Sequence, residues 1–212
     1  MNIQKIFNFD SLQNFNESDF IVSHSNDLAY RTLLNNKNLE KYIYLKGPNK
    51  SGKTHLGKLW QVKNQAILYK INNYDEILSK KNNLFIDNFN SKFNEEKLFH
   101  LINHSYQNNL RILITSKYST SENIFKIKDL SSRIKSFHYV EIKDPDDKLI
   151  ENLLIKLLND KQIIIKNYEI FSYIIKRINR TYLDIYQFID KIDKLSLSKK
   201  RQITIPLIKE LL

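Results

Sequence analysis

The chain has no cysteine, and only three glycines and three prolines among its 212 residues. Without thiols there is neither a disulfide framework nor a thiolate metal site. The five histidines are scattered, with no H-x-x-x-H spacing beside an acid, so any metal chemistry is oxygen-ligated. No uncharged apolar run approaches the roughly 18 to 20 residues that span a bilayer. The opening MNIQKIFNFDSLQNF has no basic region followed by an apolar stretch. These absences predict a cytoplasmic protein with no membrane partner. A dense basic block is missing too, although 34 Lys and Arg against 23 Asp and Glu leave a formal charge of +11. That excess has two readings: an anionic partner, because clustered cations release counterions from nucleic-acid phosphates, or the drift towards Lys, Asn and Ile that AT-rich coding produces. With 42% hydrophobic residues, a chain of this length buries a substantial core, compatible with one domain and a small appendage.

Short apolar, β-branched and aromatic runs alternate with helical spacing through the first two thirds. KYIYLKG (41–47), AILYKI (66–71), NLFIDNF (83–89), RILITSK (111–117) and FHYVEI (137–142) are strand candidates. NEEKLFHLINHSYQN (94–108) is the clearest helix, with Leu98, Leu101, Ile102 and Tyr106 on one face after an acidic first turn. Such alternation predicts a parallel sheet sandwiched by helices. Beyond Asp144-Pro145 only helical spacing remains, in LIENLLIKLLND, YEIFSYIIKRIN, TYLDIYQFIDKIDKL and IPLIKELL, with Pro206 in the first turn of the last helix. The expected division is a tail over 1–19, an αβα unit over 20–144 and an all-helical unit over 145–212. Asp190 and Asp193 read as a solvated face, and most Tyr and Phe, at strand or helix spacing, as core.

Gly47-Pro48-Asn49-Lys50-Ser51-Gly52-Lys53-Thr54 completes the pattern G-x-x-x-x-G-K-T between a predicted strand and a predicted helix. Glycines let backbone N–H groups converge on phosphate oxygens at a helix N-terminus; Lys53 neutralises phosphate charge and Thr54 can ligate Mg²⁺. The alternative is a structural turn that carries the pattern without a ligand. Leu84-Phe85-Ile86-Asp87 is an apolar strand ending in an acid that suits the Mg²⁺ water shell, unless Asp87 is an ordinary turn residue. Asn88 follows where a hydrolytic enzyme usually has a second acid. An amide orients water but cannot accept its proton, so the pair predicts tight holding with slow turnover.

The order of several further segments resembles the DnaA/Hda branch of the AAA+ ATPases, most closely its Hda type, the regulatory DnaA homologues. FIVSHSNDLAY (20–30) is similar to a segment that lies near the adenine, which adds Phe20 and Ile21 to the nucleotide-binding set, with His55 directly after the loop. DLSSRIKS (129–136) is similar to the box whose arginine acts as an interprotomer finger, here Arg133; a surface arginine paired with Asp129 is the plainer reading. NRTYLDIYQFID (179–190) resembles the sensor 2 helix and implies Arg180 near the β- or γ-phosphate, with a lid-core salt bridge as its rival. RQITIPLIKELL resembles the ending of the Hda type, and RILITSK its sensor 1 strand, although Ser116-Lys117 stand where a polar, often acidic residue is usual. QKIFNF (4–9) resembles a sliding-clamp-binding peptide with Gln4, Phe7 and Phe9 as anchors and Lys5 in place of an apolar residue.

The resemblance implies an AAA+ P-loop NTPase with a five-stranded parallel sheet and a small all-helical lid. It implies ADP (or ATP) and Mg²⁺ as ligands, with Thr54 and Asp87 at the metal. A DnaA-like initiator and the DNA polymerase sliding clamp are the implied partners, with DNA reached through the clamp and a homodimer compatible with the class. The implied activity is stimulation of ATP hydrolysis on DnaA through Arg133 in trans, with weak or absent intrinsic ATPase. Because Leu212 follows the lid directly, no helix-turn-helix domain for reading origin DNA is expected. Two other classes stay open: a self-acting ATPase of helicase-loader type, and a non-catalytic, nucleotide-gated adaptor.

Overall fold

Runs such as LFIDNF and ILITS are apolar on consecutive residues because both faces of their strands are covered, as expected of parallel strands. A computed structural model describes residues 15–35, 40–90, 92–122, 125–165 and 167–211. Strands β1 (Tyr42–Lys46), β2 (Ile67–Leu68), β3 (Leu84–Phe89), β4 (Ile112–Ser116) and β5 (His138–Glu141) form one parallel sheet in the order β2-β3-β4-β1-β5. Alternate residues of β1 face opposite ways. Ile43 and Leu45 join Ala29 and Leu33 of α1 (Asp27–Leu34) and Leu56 and Trp60 of α2 (Lys53–Lys63) on one face. Tyr44 faces the other side with Ile77 of α3 (Tyr74–Ser79), Leu98, Leu101 and Ile102 of α4 (Glu95–Gln107), and Leu130 and Ile134 of α5 (Lys128–Lys135). The five-stranded sheet sandwiched by helices is therefore as the sequence predicts.

The expected second strand is much shorter than 66–71. Lys70 N–H donates to Asn73 Oδ1 at 2.7 Å and Asn73 Nδ2 donates to the Leu68 carbonyl at 2.9 Å, so a local side chain takes the backbone groups a longer strand would pair. Ile71, 82% exposed, opens a single 3₁₀ turn instead.

From Asp147 onwards the described chain is helical: α6 (Asp147–Asp160), α7 (Glu169–Ile175), α8 (Tyr182–Lys199) and α9 (Ile205–Ile208). Their apolar stripes share a separate core of Ile150, Leu154, Phe171, Ile185, Ile189 and Leu207 with their neighbours. Each long helix starts on a side-chain cap. Asp146 accepts from Leu149 N–H at 2.8 Å and Thr181 from Asp184 N–H at 3.1 Å. Pro206 occupies the first turn of α9, where no N–H is needed. Asp190 and Asp193 are more than a solvated face: both hold Lys161 Nζ, at 3.1 and 2.9 Å, tying α8 to the end of α6. No described helix is long and apolar enough to cross a membrane.

Candidate functional site

In a parallel sheet every strand ends on the same edge, so the loops after β1, β3 and β4 meet there. After β1 the chain turns through Gly47–Gly52. Lys50 and Gly52 both have left-handed backbone, at φ 66° and 91°, which aims successive N–H groups inward. Gly52 has a second reason to be glycine: a Cβ there would lie 2.8 Å from the Phe20 ring. Ser51 Oγ is buried in this loop with no hydrogen-bond partner, as expected of a cradle built around an oxygen-rich group. Lys53 Nζ donates to the Pro48 carbonyl at 2.7 Å and so closes the loop on itself. Burial pushes the Lys53 ammonium down to about 8, the nearby Lys117 pushes the same way, and Asp87 opposes both.

Asp87 ends the regular part of β3. The pairing of β3 with β4 slips between Ile86 and Phe89, and Asn88 sits in the slip at φ 54°. The carboxylate accepts a hydrogen bond from Thr54 Oγ1 at 3.0 Å and another from Thr115 Oγ1 at 2.5 Å, while Asn88 N–H donates to Thr115 Oγ1 at 3.0 Å. Thr115 is fully buried on β4 and fixes where Asp87 points. The sequence reading passed over Thr115. The available signal was its place at the end of an apolar strand, beside the acid of the neighbouring strand. Asn88 itself is exposed.

The segment before α1 closes one side of the loop. Phe20 stacks on Tyr30 at 5.9 Å and meets His55 edge-on at 5.5 Å; Phe15 also meets His55 edge-on, at 5.4 Å. His55 Nε2 is engaged with the Asn16 carbonyl at 2.8 Å, so this ring is committed to the segment rather than open to a ligand. Ile21 packs its side chain against the α1/α2 core, and its carbonyl accepts from Asn26 Nδ2 at 2.9 Å. Lys50 Nζ lies 5.6 Å from the Tyr186 ring centre, which brings α8 over the loop.

Arg180 is not joined to the loop by any hydrogen bond or ion pair among the described residues. Its guanidinium binds Asp147 at the start of α6, at 2.6 Å for the closer contact, and both side chains are 58% exposed. This salt bridge lies within the all-helical unit, between the turn before α8 and the first residue of α6, and is not the lid-core bridge weighed as its rival. Arg133 is not paired with Asp129. It lies over the rings of Tyr106 and Phe99, at 5.1 and 5.7 Å, and Tyr106 stacks in turn on Tyr42 at 4.1 Å. Gln4, Phe7 and Phe9 lie outside the described residues. The site thus brings together residues 47–54, Asp87 and Phe20 with Thr115 and Lys117, to which the sequence assigned no role, and leaves Arg133 and Arg180 with partners of their own.

The family described as "Hda, lid domain" matches residues 155–212. The chromosomal replication initiator protein DnaA of Buchnera aphidicola subsp. Cinara cedri is 26% identical over 100% of this chain and 55% of its own length. The DnaA of Buchnera aphidicola subsp. Baizongia pistaciae is 29% identical over 94% of this chain and 50% of its own. The chain therefore spans about half the length of the curated relatives it matches. Among solved structures, domain III of Thermotoga maritima DnaA superposes with a TM-score of 0.75 at 16% identity, covering 93% of this chain and 95% of that one. AMPPCP-bound DnaA from Aquifex aeolicus gives 0.66 at 21%, over 84% and 64%. In its C-terminal helical segment the chain matches the Hda lid family, and over its length it is similar to DnaA, so its likeness is to the DnaA/Hda branch of the AAA+ proteins.

Proposed function

We propose that this chain is an Hda-type regulator of replication initiation, which holds ADP and, with the DNA-loaded sliding clamp, stimulates hydrolysis of the ATP bound to DnaA. Asn88 carries the reading. At the strand end where a hydrolytic site needs a carboxylate to accept a proton from water, an exposed amide stands on a left-handed turn. Its own pocket then serves as a latch. The backbone N–H groups of the loop and Lys53 bind the diphosphate, and Phe20 walls the site beside Gly52. Arg180, on leaving Asp147, joins the phosphates and fixes the helical lid over the αβα unit.

The donor set fits a magnesium ion: the Thr54 hydroxyl and the Asp87 carboxylate are already paired at 3.0 Å and both reach the loop. Magnesium there supplies charge neutralisation of the phosphates. In the complex with DnaA, Arg133 delivers its guanidinium to the partner's γ-phosphate. A finger of this kind is worth on the order of 10³ to 10⁵ in rate. Gln4, Phe7 and Phe9 engage the clamp, so DNA is reached through that ring in the cytoplasm, and head-to-tail self-association is compatible with the class. The division into a tail over 1–19, a nucleotide-binding unit over 20–144 and a lid over 145–212 belongs to the same proposal.

The test mixes Arg133→Ala with ATP-DnaA and clamped DNA. Loss of the stimulated hydrolysis, with ADP binding intact, is expected; full stimulation by the variant refutes the finger. Deleting residues 1–9 is expected to abolish clamp binding, and unchanged clamp binding refutes that part.

A further inference from the structure

Lys117 is the cation that the nucleotide reading leaves unused. It leaves β4 directly beside the phosphate loop, because β1 and β4 run in register with Lys46 opposite Ser116, and Gly47 N–H donates to the Ser116 carbonyl at 3.1 Å. It emerges on the same sheet edge as Asp87, one strand over, and as Lys53. Its side chain is exposed, and its Nζ rests 4.7 Å from the centre of the Tyr118 ring, a contact that leaves its charge uncompensated. No carboxylate pairs with it among the described residues. Lys46, a few residues away on the neighbouring strand, shows the contrast: its ammonium is bound to Glu141 at 2.9 Å.

The acidic side of the site is correspondingly thin. Asp87 is the one carboxylate among the residues brought together there, two threonine hydroxyls already occupy it, and Asn88 adds no charge. No cluster of three or more His, Asp or Glu able to hold a metal ion occurs among the described residues. Lys50, Lys53 and Lys117 against one carboxylate give the site a net positive charge. The like charges of the lysines repel one another. An anionic ligand of several charges relieves that repulsion by contacting Lys53 and Lys117.

We propose that Lys117 is a second phosphate-binding cation of this site and takes over part of the charge neutralisation otherwise left to a divalent ion, so that the chain holds a nucleoside polyphosphate with little dependence on Mg²⁺. The proposal rests on the nucleotide-binding reading above. The ammonium swings off the Tyr118 ring onto the terminal phosphate oxygens, opposite Lys53.

The experiment is calorimetric titration of the full chain with ADP, in excess Mg²⁺ and in EDTA, for the wild type, Lys117→Gln and Lys191→Gln. The last removes one exposed lysine from α8 that makes no described contact with the loop, and reports the effect of bulk charge alone. The wild type is expected to lose less than about 5-fold in affinity on removing Mg²⁺. Lys117→Gln is expected to lose on the order of 10- to 100-fold in EDTA, the range for one charge-assisted contact, and much less in Mg²⁺. Lys191→Gln should follow the wild type. The Lys117 assignment is overturned if the wild type binds only with Mg²⁺, if Lys117→Gln matches it in EDTA, or if Lys191→Gln is equally impaired. No ADP binding by the wild type under either condition overturns the nucleotide reading itself, and the Lys117 assignment with it.

Discussion

Gly57 lies inside α2, where alanine ordinarily stabilises a helix by about 1 kcal/mol over glycine. The structure reverses the expected sign. A Cβ on Gly57 would stand 2.2 Å from Phe85 Cζ, 2.7 Å from Cε2 and 3.1 Å from Cε1, whereas carbons rest at roughly 3.5 to 4.0 Å. Phe85 is completely buried in β3, so its ring has no solvent to retreat into and α2 must lift off the sheet. Overpacking of this kind costs about 1 to 3 kcal/mol, and an overlap above an ångström belongs at the upper end. Subtracting the helix gain leaves Gly57→Ala about 2 kcal/mol less stable, a drop of about 4 to 8 °C in Tm for a chain of this size. Urea and thermal unfolding followed by circular dichroism measure it. The companion is the pair Phe85→Leu and Gly57→Ala/Phe85→Leu: with the ring shortened, the alanine should cost little or become favourable. A Gly57→Ala protein that melts higher than wild type, or one whose penalty is undiminished in the Phe85→Leu background, refutes the reasoning.

The Lys53 ammonium, lowered from 10.5 to about 8 in the folded chain, makes the unfolded state bind more protons between those values. Stability should therefore rise as pH increases from about 8 to 10.5, by up to about 3 kcal/mol; Lys53→Met should lose that slope in urea titrations at pH 7 and 10 and be the more stable protein at pH 7. Burial pushes the Asp146 carboxyl up, but bonds from Leu149 N–H and from Ser23 and Ser25 outweigh it and hold the group below its ordinary value. Its contribution is present above the usual carboxylate range and lost as pH falls through the folded value, and Asp146→Ala should cost about 1 to 2 kcal/mol in chemical denaturation at neutral pH. Arg180→Ala should change unfolding by less than about 1 kcal/mol, since the pair with Asp147 is 58% exposed on each side. The same variant should weaken ADP binding about tenfold by titration; unchanged affinity would leave Arg180 a surface ion pair.

Legibility in the sequence followed the physics of each element. The strands buried on both faces, β1, β3 and β4, announce themselves as unbroken apolar runs, and the helical unit by its 3.6-residue stripes. AILYKI misled because an edge strand is held by few partners, and Asn73, two residues past the end of that run, competes for the backbone. The phosphate loop was readable since its chemistry lies in contiguous residues. Thr115, Lys117 and the aromatic bed of Arg133 were not, because each depends on strand order or on rings contributed by α4, which no local pattern encodes. Asp147, the partner that Arg180 takes across 33 residues, is equally non-local.

The carboxylate of Asp146 serves two structures at once: it caps α6 and accepts the Ser25 N–H at 3.2 Å, while Lys143 N–H donates to the Ser25 carbonyl at 3.0 Å and Tyr182 Oη to the Lys143 carbonyl at 3.1 Å. Five residues upstream of Ser25 is the ring that presses on Gly52. A tilt of the first C-terminal helix therefore pulls on a short, hydrogen-bonded tether whose far end touches the phosphate cradle. Lid and cradle thus share one short, continuous path of contacts.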